Sequence, residues 1–397
     1  MKENAGPARV VTSCGGRFHI FDQARELAQR GLLKQLINNY PVSGPVEFGV
    51  PRDLVRSLLF TGLFNHGTYR IASRLPRRIR SPLVELIHAQ FSHRLSRVLP
   101  KEMDFFIGLS SFCREALECC RERGVVCAVD HGSLHQAEDR RLVQEEAERW
   151  GVAVSEDISA DWIIAKEDEE FSLADHIFVL STAARDSLIR QGIDGGRIFV
   201  NPCGVDVTAF SPAPRNDDVF RVIQVGSIGL RKGVLDTLEA FRMAKLTDAE
   251  LLFVGGGIES GGLEAVLKKK TENGISFLPP VPQPKLRDYY NKCSVFVLAS
   301  IADGFGMVVS QAMACGLPVI VTENVGARDL VEDGVNGFVV PIRSPDRIAE
   351  HLRYLHDNPD IAKRMGQAAQ ETVQKGYSWS DYGDRLAGFI VENLSNK

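Results

Sequence analysis

The sequence predicts an α/β protein built from two Rossmann-like domains, each with a parallel sheet covered by helices. The chain has 397 residues, of which 44% are hydrophobic and 25% are charged, as in a globular protein. That length exceeds what one hydrophobic core normally organises, so two domains are expected. Strand and helix patterns alternate along both halves, and glycine turns follow several of the predicted strands.

The first half repeats the order strand, turn, helix. An apolar strand at 9–12 leads through a glycine turn into a helical pattern over 18–29. Further apolar strands at 125–129 and 177–180 each end in polar turn residues. Ligands of such parallel sheets bind at the carboxyl ends of the strands, so these turns are candidate binding segments.

A turn-rich stretch between residues 199 and 218 marks the predicted domain boundary. We expect a first domain at 1–208, a second at 209–375, and a C-terminal helix at 376–397 that packs back on the first domain. The same alternation of strands and helices restarts at residue 221, without internal sequence repeats.

Composition excludes several classes of protein. The net charge is -4 and the pI is about 6.2, which disfavours nucleic acid as a partner. The first residues lack the apolar run of a secretory signal, and no stretch has the roughly 18 apolar residues of a membrane span. We therefore expect a cytoplasmic protein.

The sequence offers no clear metal site. Its eight cysteines are scattered without a Cys-x-x-Cys pair, and we expect them to be reduced thiols in the core. His131 and His135 are four residues apart, but the glutamate of a zinc-protease motif is missing. The acidic run at 167–170 follows a lysine in a predicted helix, so we expect it to be exposed to solvent. We predict no structural metal.

A basic segment lies within the first domain. Residues 52–101 hold ten Arg or Lys against two acidic residues, with leucines between the charges. This combination fits a surface that binds an anionic membrane or a phosphorylated lipid acceptor. An ordinary helix face with solvated arginines explains it equally well.

The segment 296–316 carries the clearest binding pattern. An apolar strand ends in a Gly-Phe-Gly turn and a helix starts at once. Gly304 and Gly306 let the backbone approach a ligand, while the amides of Met307 and Val308 point at an anion beyond the helix N-terminus. These features predict a diphosphate site, although many Rossmann-like domains share them.

A second candidate is the glycine-bounded turn 226–233, which carries Arg231 and Lys232 at another strand end. Two cations there can neutralise the charge of a leaving phosphate, or they can be solvated charges on a surface turn. A dinucleotide fingerprint Gly-x-Gly-x-x-Gly followed by an acidic residue is missing, which disfavours NAD.

Together these segments resemble glycosyltransferase family 4, the retaining enzymes with the GT-B fold. The second half is similar over nearly its full length, through VIQVGSIGLRKGVLDTLEAF, FLPPVPQPKLRDYYNKCSVFVLAS and DGFGMVVSQAMACGLPVIVTENVGARDLVEDGVNGFVV. The first half is similar more loosely, through the Gly15-Gly16 turn, the Asp130-His131 strand end, LADHIFVLS and NPCGVDVTAFSP. The resemblance implies two facing domains with the donor in the cleft between them.

The resemblance also implies roles for single residues. His131 would lie beside the donor sugar, and Arg231 and Lys232 would face the glycine turn of the first domain across the cleft. The implied catalytic residues are His131, Asp303, Arg231 and Lys232. The residues implied to bind the nucleotide sugar are Gly15, Gly16, Gly226, Ser227, Gly255, Val281, Gly304, Phe305, Gly306, Met307, Val308 and Gln311.

Three positions depart from the family pattern. Asp303 and Gln311 stand where the family usually has two glutamates, and Ser227 replaces its usual arginine. A carboxylate and an amide can still accept hydrogen bonds from sugar and ribose hydroxyls, and Arg231 is expected to supply the missing charge. The donor and the activity level therefore stay open.

We expect a metal-independent, retaining glycosyltransferase that needs no cofactor and takes a UDP- or GDP-linked sugar. Its acceptor would be a glycan or a lipid-linked molecule in cell-surface polysaccharide or lipopolysaccharide synthesis, and it would work at the inner face of the membrane. Arg17 and His19, beside the first glycine turn, are candidate acceptor contacts. The alternatives are a nucleotide-sugar epimerase of the same fold and a non-catalytic nucleotide-sugar-binding subunit.

Overall fold

A computed structural model describes residues 8–58, 77–153, 159–215, 217–257, 262–271 and 273–395. These residues form two sheets, of seven and six strands, in which every recorded strand pairing is parallel. The predicted class, two Rossmann-like α/β domains, is confirmed.

The first sheet has the strand order β3-β2-β1-β4-β5-β6-β7. Successive strands are added on one side of β1 up to β3 and on its other side from β4 onward, so the order reverses between β1 and β4. Its strands are β1 (Val10–Cys14), β2 (Leu33–Asn38), β3 (Val55–Ser57), β4 (Phe105–Leu109), β5 (Val126–His131), β6 (His176–Val179) and β7 (Ile198–Val200). The helices along this half are α1 (Ile20–Gln29), α2 (Ser43–Glu47), α3 (Arg77–Val98), α4 (Arg114–Glu122), α5 (Gln136–Trp150), α6 (Asp161–Leu173) and α7 (Thr182–Arg190).

The second sheet has the order β10-β9-β8-β11-β12-β13 and reverses between β8 and β11. Its strands are β8 (Phe220–Val225), β9 (Ala249–Val254), β10 (Ile275–Leu278), β11 (Val295–Leu298), β12 (Val319–Thr322) and β13 (Gly337–Val340). The helices along this half are α8 (Val234–Ala244), α9 (Leu263–Lys270), α10 (Leu286–Tyr290), α11 (Met307–Ala314), α12 (Pro345–Asp357), α13 (Pro359–Gln374) and α14 (Trp379–Ser395).

Each sheet is buried on both faces, because its strands alternate apolar side chains toward two layers of helices. In β1, Val10 packs with the layer that contains α1, whereas Val11 packs with α3 and α4. The helix α14 contributes Tyr382, Leu386 and Ile390 to the core around α1. The C-terminal end of the chain therefore lies on the first sheet, and residues 201–219 connect the last strand of that sheet to the first strand of the second.

Helix α1 begins at Ile20, two residues later than the helical pattern predicts. Phe18 was counted among the apolar helical positions, yet its side chain is 65% exposed and its φ is +39°. A left-handed backbone is sterically unfavourable for a bulky residue and cannot continue into a right-handed helix. The prediction for this residue is wrong.

All eight cysteines lie in the described part of the chain, and all are free. Of the basic segment, residues 59–76 fall outside the described ranges, and so do the prediction's charges at Arg70 and Arg74. In α3, Ile79 and Leu86 are 53% and 47% exposed. No helix in the described ranges combines the length and apolar composition needed to cross a membrane.

Candidate donor site between the domains

The two domains touch at the carboxyl ends of their strands. The turn after β5 lies so close to the turn after β11 that a Cβ atom added to Gly304 would be 2.1 Å from the carbonyl oxygen of Gly132. The Ser181 Oγ donates to the Gly304 carbonyl at 2.7 Å, and the Thr182 amide donates to Asp329 at 2.7 Å. Gly304 was predicted to let the backbone approach a phosphate, but here its missing side chain admits the first domain.

Ion pairs also join the domains through helix α5. Arg149 in this helix lies 2.8 Å from Asp236 of α8, and Glu146 accepts from Arg343 at 2.7 Å. Glu146 and Asp236 are buried, so both carboxylates depend on these arginines for compensation. The contacts fix helix α5 beside residues 226–233 of the second domain, the cationic turn that carries Arg231 and Lys232.

That cationic turn follows β8 and places Lys232 in an ion pair with Asp303, the first residue of the glycine turn after β11. Arg231 donates to the Ala302 carbonyl at 2.9 Å, which holds the two turns together. Burial alone would raise the pKa of Asp303, but Lys232 and Arg231 lower it below its ordinary value. Burial lowers the pKa of Lys232, against the attraction of Asp303. The structure thus brings together three of the predicted catalytic residues.

The N-terminus of helix α11 follows Asp303, the partner of Lys232, by a few residues. Gly306 has φ +83°, a conformation that glycine adopts without strain, and no side chain caps the helix. Because the first amides of a helix have no partner within it, the amides of Met307 and Val308 are donors for an anion. Phe305 is buried beneath the turn.

The other predicted donor contacts differ in how they are buried and packed. Gly226 and Gly255 approach each other closely, since a Cβ at Gly255 would lie 1.7 Å from the Gly226 carbonyl oxygen. Ser227 is exposed and Val281 is half-buried. The Gln311 side chain is 4% exposed, and its carbonyl oxygen accepts from the buried Tyr290 hydroxyl at 3.4 Å. Its predicted contact with ribose stays a prediction.

Gly15 was predicted to approach the donor phosphate, but an aromatic ring occupies the space beside it. A Cβ atom at this position would be 2.2 Å from the Phe112 ring. Gly16, in contrast, has only the Leu109 side chain nearby, at 3.9 Å. On the side where a Cβ would lie, Gly16 is the more open of the two glycines, and the predicted approach of both to the donor phosphate stays a prediction.

His131 lies inside the first domain. Its side chain is fully buried, Nδ1 lies 3.1 Å from the Ser110 hydroxyl, and Nε2 lies 3.1 Å from the Leu134 carbonyl. Burial lowers the pKa of His131 to about 4, so the ring is neutral near pH 7 and Nε2 carries the proton that it donates to Leu134. Both nitrogens are used, so this arrangement does not show the expected contact with a donor sugar.

The acidic run in α6 is not exposed as predicted. Glu167 and Glu170 are buried, while Glu169 between them is on the surface. Glu170 accepts from the backbone amides of Ser111, Cys113 and Arg114 at 2.5, 2.8 and 3.0 Å. The Ser111 hydroxyl donates to Glu167 at 2.7 Å. These carboxylates hold the turn after β4, whose Phe112 ring packs on Gly15.

Removal of the buried Glu170 carboxylate should destabilise the first domain strongly. Glu170→Ala leaves three backbone donors without partners, and we expect the free energy of unfolding to fall by about 3 kcal/mol. Urea unfolding followed by circular dichroism measures the loss. Glu169→Ala is the matched control, since the side chain of Glu169 is 56% exposed and its ion pair with Arg114 should contribute under about 1 kcal/mol. Equal stabilities of the two variants would contradict the assigned role.

The neighbouring Glu167 should make stability depend on pH. Burial raises the pKa of Glu167 from 4.5 to about 7, so the folded protein binds more protons than the unfolded chain between these values. Stability then falls as the pH rises through this window. Relative to Glu167→Gln, we expect wild type to lose about 3 kcal/mol between about pH 4.5 and pH 8. If the free energy of unfolding changes with pH equally in wild type and Glu167→Gln, this assignment is contradicted. Glu169→Gln serves as the control.

Sequence reasoning missed Asp139, which lies in the first turn of α5. Its carboxylate interacts electrostatically with Arg231, Lys232 and Asp303 of the other domain, while burial raises its pKa. An acidic residue near a helix N-terminus is ordinary, so no pattern marked it. Only the approach of the domains brings it to the site.

Comparison with known families finds a match for the second domain. Residues 208–372 match the sequence model of the family described as glycosyl transferases group 1. A D-inositol 3-phosphate glycosyltransferase of Catenulispora acidiphila is 31% identical over 247 residues, which are 56% of this chain and 58% of that protein. One from Kribbella flavida is 30% identical over 244 residues, with 56% and 54% covered. The match thus spans little more than half of these relatives.

Solved structures resemble the chain over almost its whole length. Sucrose-phosphate synthase from Thermosynechococcus elongatus has a TM-score of 0.71 at 18% identity, covering 98% of this chain and 100% of that one. Anabaena HepE in complex with UDP and glucose has a TM-score of 0.66 at 15% identity, with 98% and 100% covered. At such identities the likeness shows the fold alone. The chain therefore has the GT-B fold, and its residues 208–372 are similar to the glycosyl transferases group 1.

Proposed function

We propose that this protein is a glycosyltransferase that takes its sugar from a nucleotide-diphosphate sugar. One observation carries the proposal: Lys232, Arg231 and the free amides of α11 converge at the strand ends that face the first domain. The family match covers this same part of the chain. Fixed cations and amides of this kind suit a leaving diphosphate.

The chemistry follows from where charge develops. When the bond between the sugar and the diphosphate breaks, negative charge collects on the phosphate oxygens and positive character on the sugar carbon. Lys232 and Arg231 stabilise the negative charge on the phosphate oxygens, and Asp303 accepts hydrogen bonds from the hydroxyls of the sugar. We propose retention of configuration, with the acceptor hydroxyl giving its proton to the leaving phosphate oxygen. The cationic turn then takes the role that a metal plays in other transferases.

Release of nucleoside diphosphate from a panel of UDP- and GDP-linked sugars tests the proposal. We expect turnover with at least one donor, and we expect it to persist in EDTA. Loss of all turnover in EDTA would contradict the metal-independent mechanism alone. Binding of donors without release, even with candidate acceptors, would instead support a non-catalytic nucleotide-sugar-binding subunit.

The acceptor is a separate proposal. A glycan or lipid-linked acceptor fits a role in cell-surface polysaccharide assembly, while the names of the curated relatives point to a phosphorylated cyclitol, D-inositol 3-phosphate. Parallel assays with glycan acceptors and with D-inositol 3-phosphate distinguish the two. Product mass identifies the acceptor class, and the anomeric coupling constant of the product reports retention or inversion.

We further propose that the basic segment holds the protein at an anionic membrane surface. Exposed Ile79 and Leu86 lie on α3 together with exposed Arg78 and Arg97, a combination found on interfacial helices. The protein should float with vesicles that contain anionic lipid and release them as the salt concentration rises. Failure to bind such vesicles at low salt would contradict membrane association and would support a solvated helix face.

A further inference from the structure

We propose that Phe18 is the surface on which the acceptor stacks the apolar face of a sugar or cyclitol ring. This inference rests on the proposed glycosyl transfer and adds a specificity-determining residue to it. In the glycine turn of the first domain, Phe18 was predicted to be helical but precedes the start of helix α1.

The exposure of Phe18 has no explanation in folding. Among the described large hydrophobic side chains it is the most exposed, at 65%. Burying a phenylalanine side chain normally favours folding, and the adjacent Ile20 and Phe21 are buried in the core around α1. A sequence selected only for stability would place a polar residue at this position.

The backbone of Phe18 is also strained. Its φ of +39° lies in the left-handed region, where a bulky residue is a genuine outlier. Such strain persists only where the surroundings impose it, and it concentrates at functional sites. Exposure and strain both oppose folding here, and they fall on the same residue.

The residues before and after Phe18 in this turn are held by packing and by buried polar contacts. Before Phe18, the Phe112 ring packs against Gly15. After it, His19 is 2% exposed and its Nε2 lies 3.1 Å from an Asp130 oxygen. Gln23 donates to the same oxygen at 2.6 Å. The predicted acceptor contact His19 is therefore buried, with Nε2 beside Asp130, and it holds the turn that presents Phe18.

The position of the ring points to the acceptor. Phe18 is in the turn after β1, at the carboxyl end of the strand beside which the strand order of the first sheet reverses. Ligands of such sheets bind at this place. Its ring lies 3.2 Å from the Cβ position of Gly132, and Gly132 itself contacts Gly304 of the donor turn. The ring therefore lies on the first-domain side of the donor site, with only Gly132 between it and Gly304.

The adjacent Arg17 indicates a second property of the acceptor. Arg17 is exposed, and its guanidinium carbon lies 4.8 Å from the centre of the Phe48 ring. Within the described ranges it forms no ion pair closer than 4.0 Å. A ring that stacks on Phe18 and carries an anionic group could place that group on Arg17. Phosphorylated sugars and phosphorylated cyclitols share this chemistry.

The test compares wild type with Phe18→Gly and Phe18→Tyr, each as the 397-residue chain and in parallel series saturated with UDP and with GDP. Titration calorimetry uses D-inositol 3-phosphate as a ring with an anion, methyl α-glucopyranoside as a neutral ring, and glycerol 3-phosphate as an acyclic anion. We expect Phe18→Gly to weaken both ring probes about tenfold and to leave glycerol 3-phosphate unchanged. Phe18→Tyr should keep the affinity for rings.

Stability separates this role from a structural one. Glycine adopts a positive φ without strain, so Phe18→Gly should melt at or above the wild-type temperature while it loses ring binding. Wild-type affinity of Phe18→Gly for the ring probes, equal loss for all three probes, or no ring binding by wild type at about 10 mM would each overturn the proposal. Release of nucleoside diphosphate from UDP- and GDP-linked sugars is assayed alongside, with the candidate acceptors present. If wild type releases none with any of them, the proposed function is wrong, while the binding comparison still decides the role of Phe18.

Discussion

Replacing Lys232 by methionine should lower nucleoside diphosphate release about 10²–10³-fold. Methionine keeps most of the side-chain volume but removes the charge that pairs with Asp303 and that we propose stabilises the leaving diphosphate. Because the interaction strengthens as charge moves to the diphosphate, we expect the loss mainly in kcat rather than in the KM for the donor.

Two further variants make this result interpretable. Lys232→Arg keeps the charge and should retain part of the activity, even if the geometry is less favourable. Lys375→Met removes a lysine that is 76% exposed and pairs with Glu371 at 3.0 Å, so it should behave as wild type. Wild-type release by Lys232→Met, with an unchanged melting temperature, would show that this residue does not act on the leaving group.

Gly304→Ala should lower activity about 100-fold by keeping the domains apart. The new Cβ would lie 2.1 Å from the Gly132 carbonyl oxygen and 2.5 Å from the Ser133 Cα. Both atoms belong to the backbone, so the contact can be relieved only if the turns move apart. Small-angle scattering should show an increased radius of gyration together with the loss of nucleoside diphosphate release.

The control for this substitution is Gly388→Ala, in helix α14. Apart from the backbone of its own helix and its chain neighbours, no atom of the described residues lies within 4 Å of a Cβ at that position, and alanine is favoured over glycine inside a helix by about 1 kcal/mol. It should be fully active and slightly more stable. If Gly304→Ala has wild-type activity and an unchanged radius, the contact of Gly304 with Gly132 is not required for function.

Much of the second domain could be predicted from the sequence because its signals are local. Helix α8 begins directly after the glycine-bounded turn 226–233, and the strand, glycine turn and helix around Gly306 are found where the pattern places them. Glycines, periodic apolar residues and helix starts act over a few neighbouring residues, so a short window of sequence contains the whole cause.

The first domain shows where such windows end. Glu167 and Glu170 have the sequence context of a solvated helix face, but they are buried because the turn after β4, more than 50 residues earlier, needs their oxygens. Phe18 fits a helical pattern, yet its backbone is left-handed, in a turn whose Gly15 packs on Phe112 and whose His19 lies beside Asp130. Each cause lies far away in the chain.

The sequence by itself determined the fold class, the two sheets and the residues that form the two candidate anion-binding turns, since these depend on periodicity, glycine placement and charge. Tertiary structure alone decided which partners those residues have. It turned Gly304 toward the first domain, placed His131 in the interior, and brought Asp139 to the cationic turn. The physical reason is that burial and ion pairing depend on every element packed around a residue, and these elements come from distant parts of the chain.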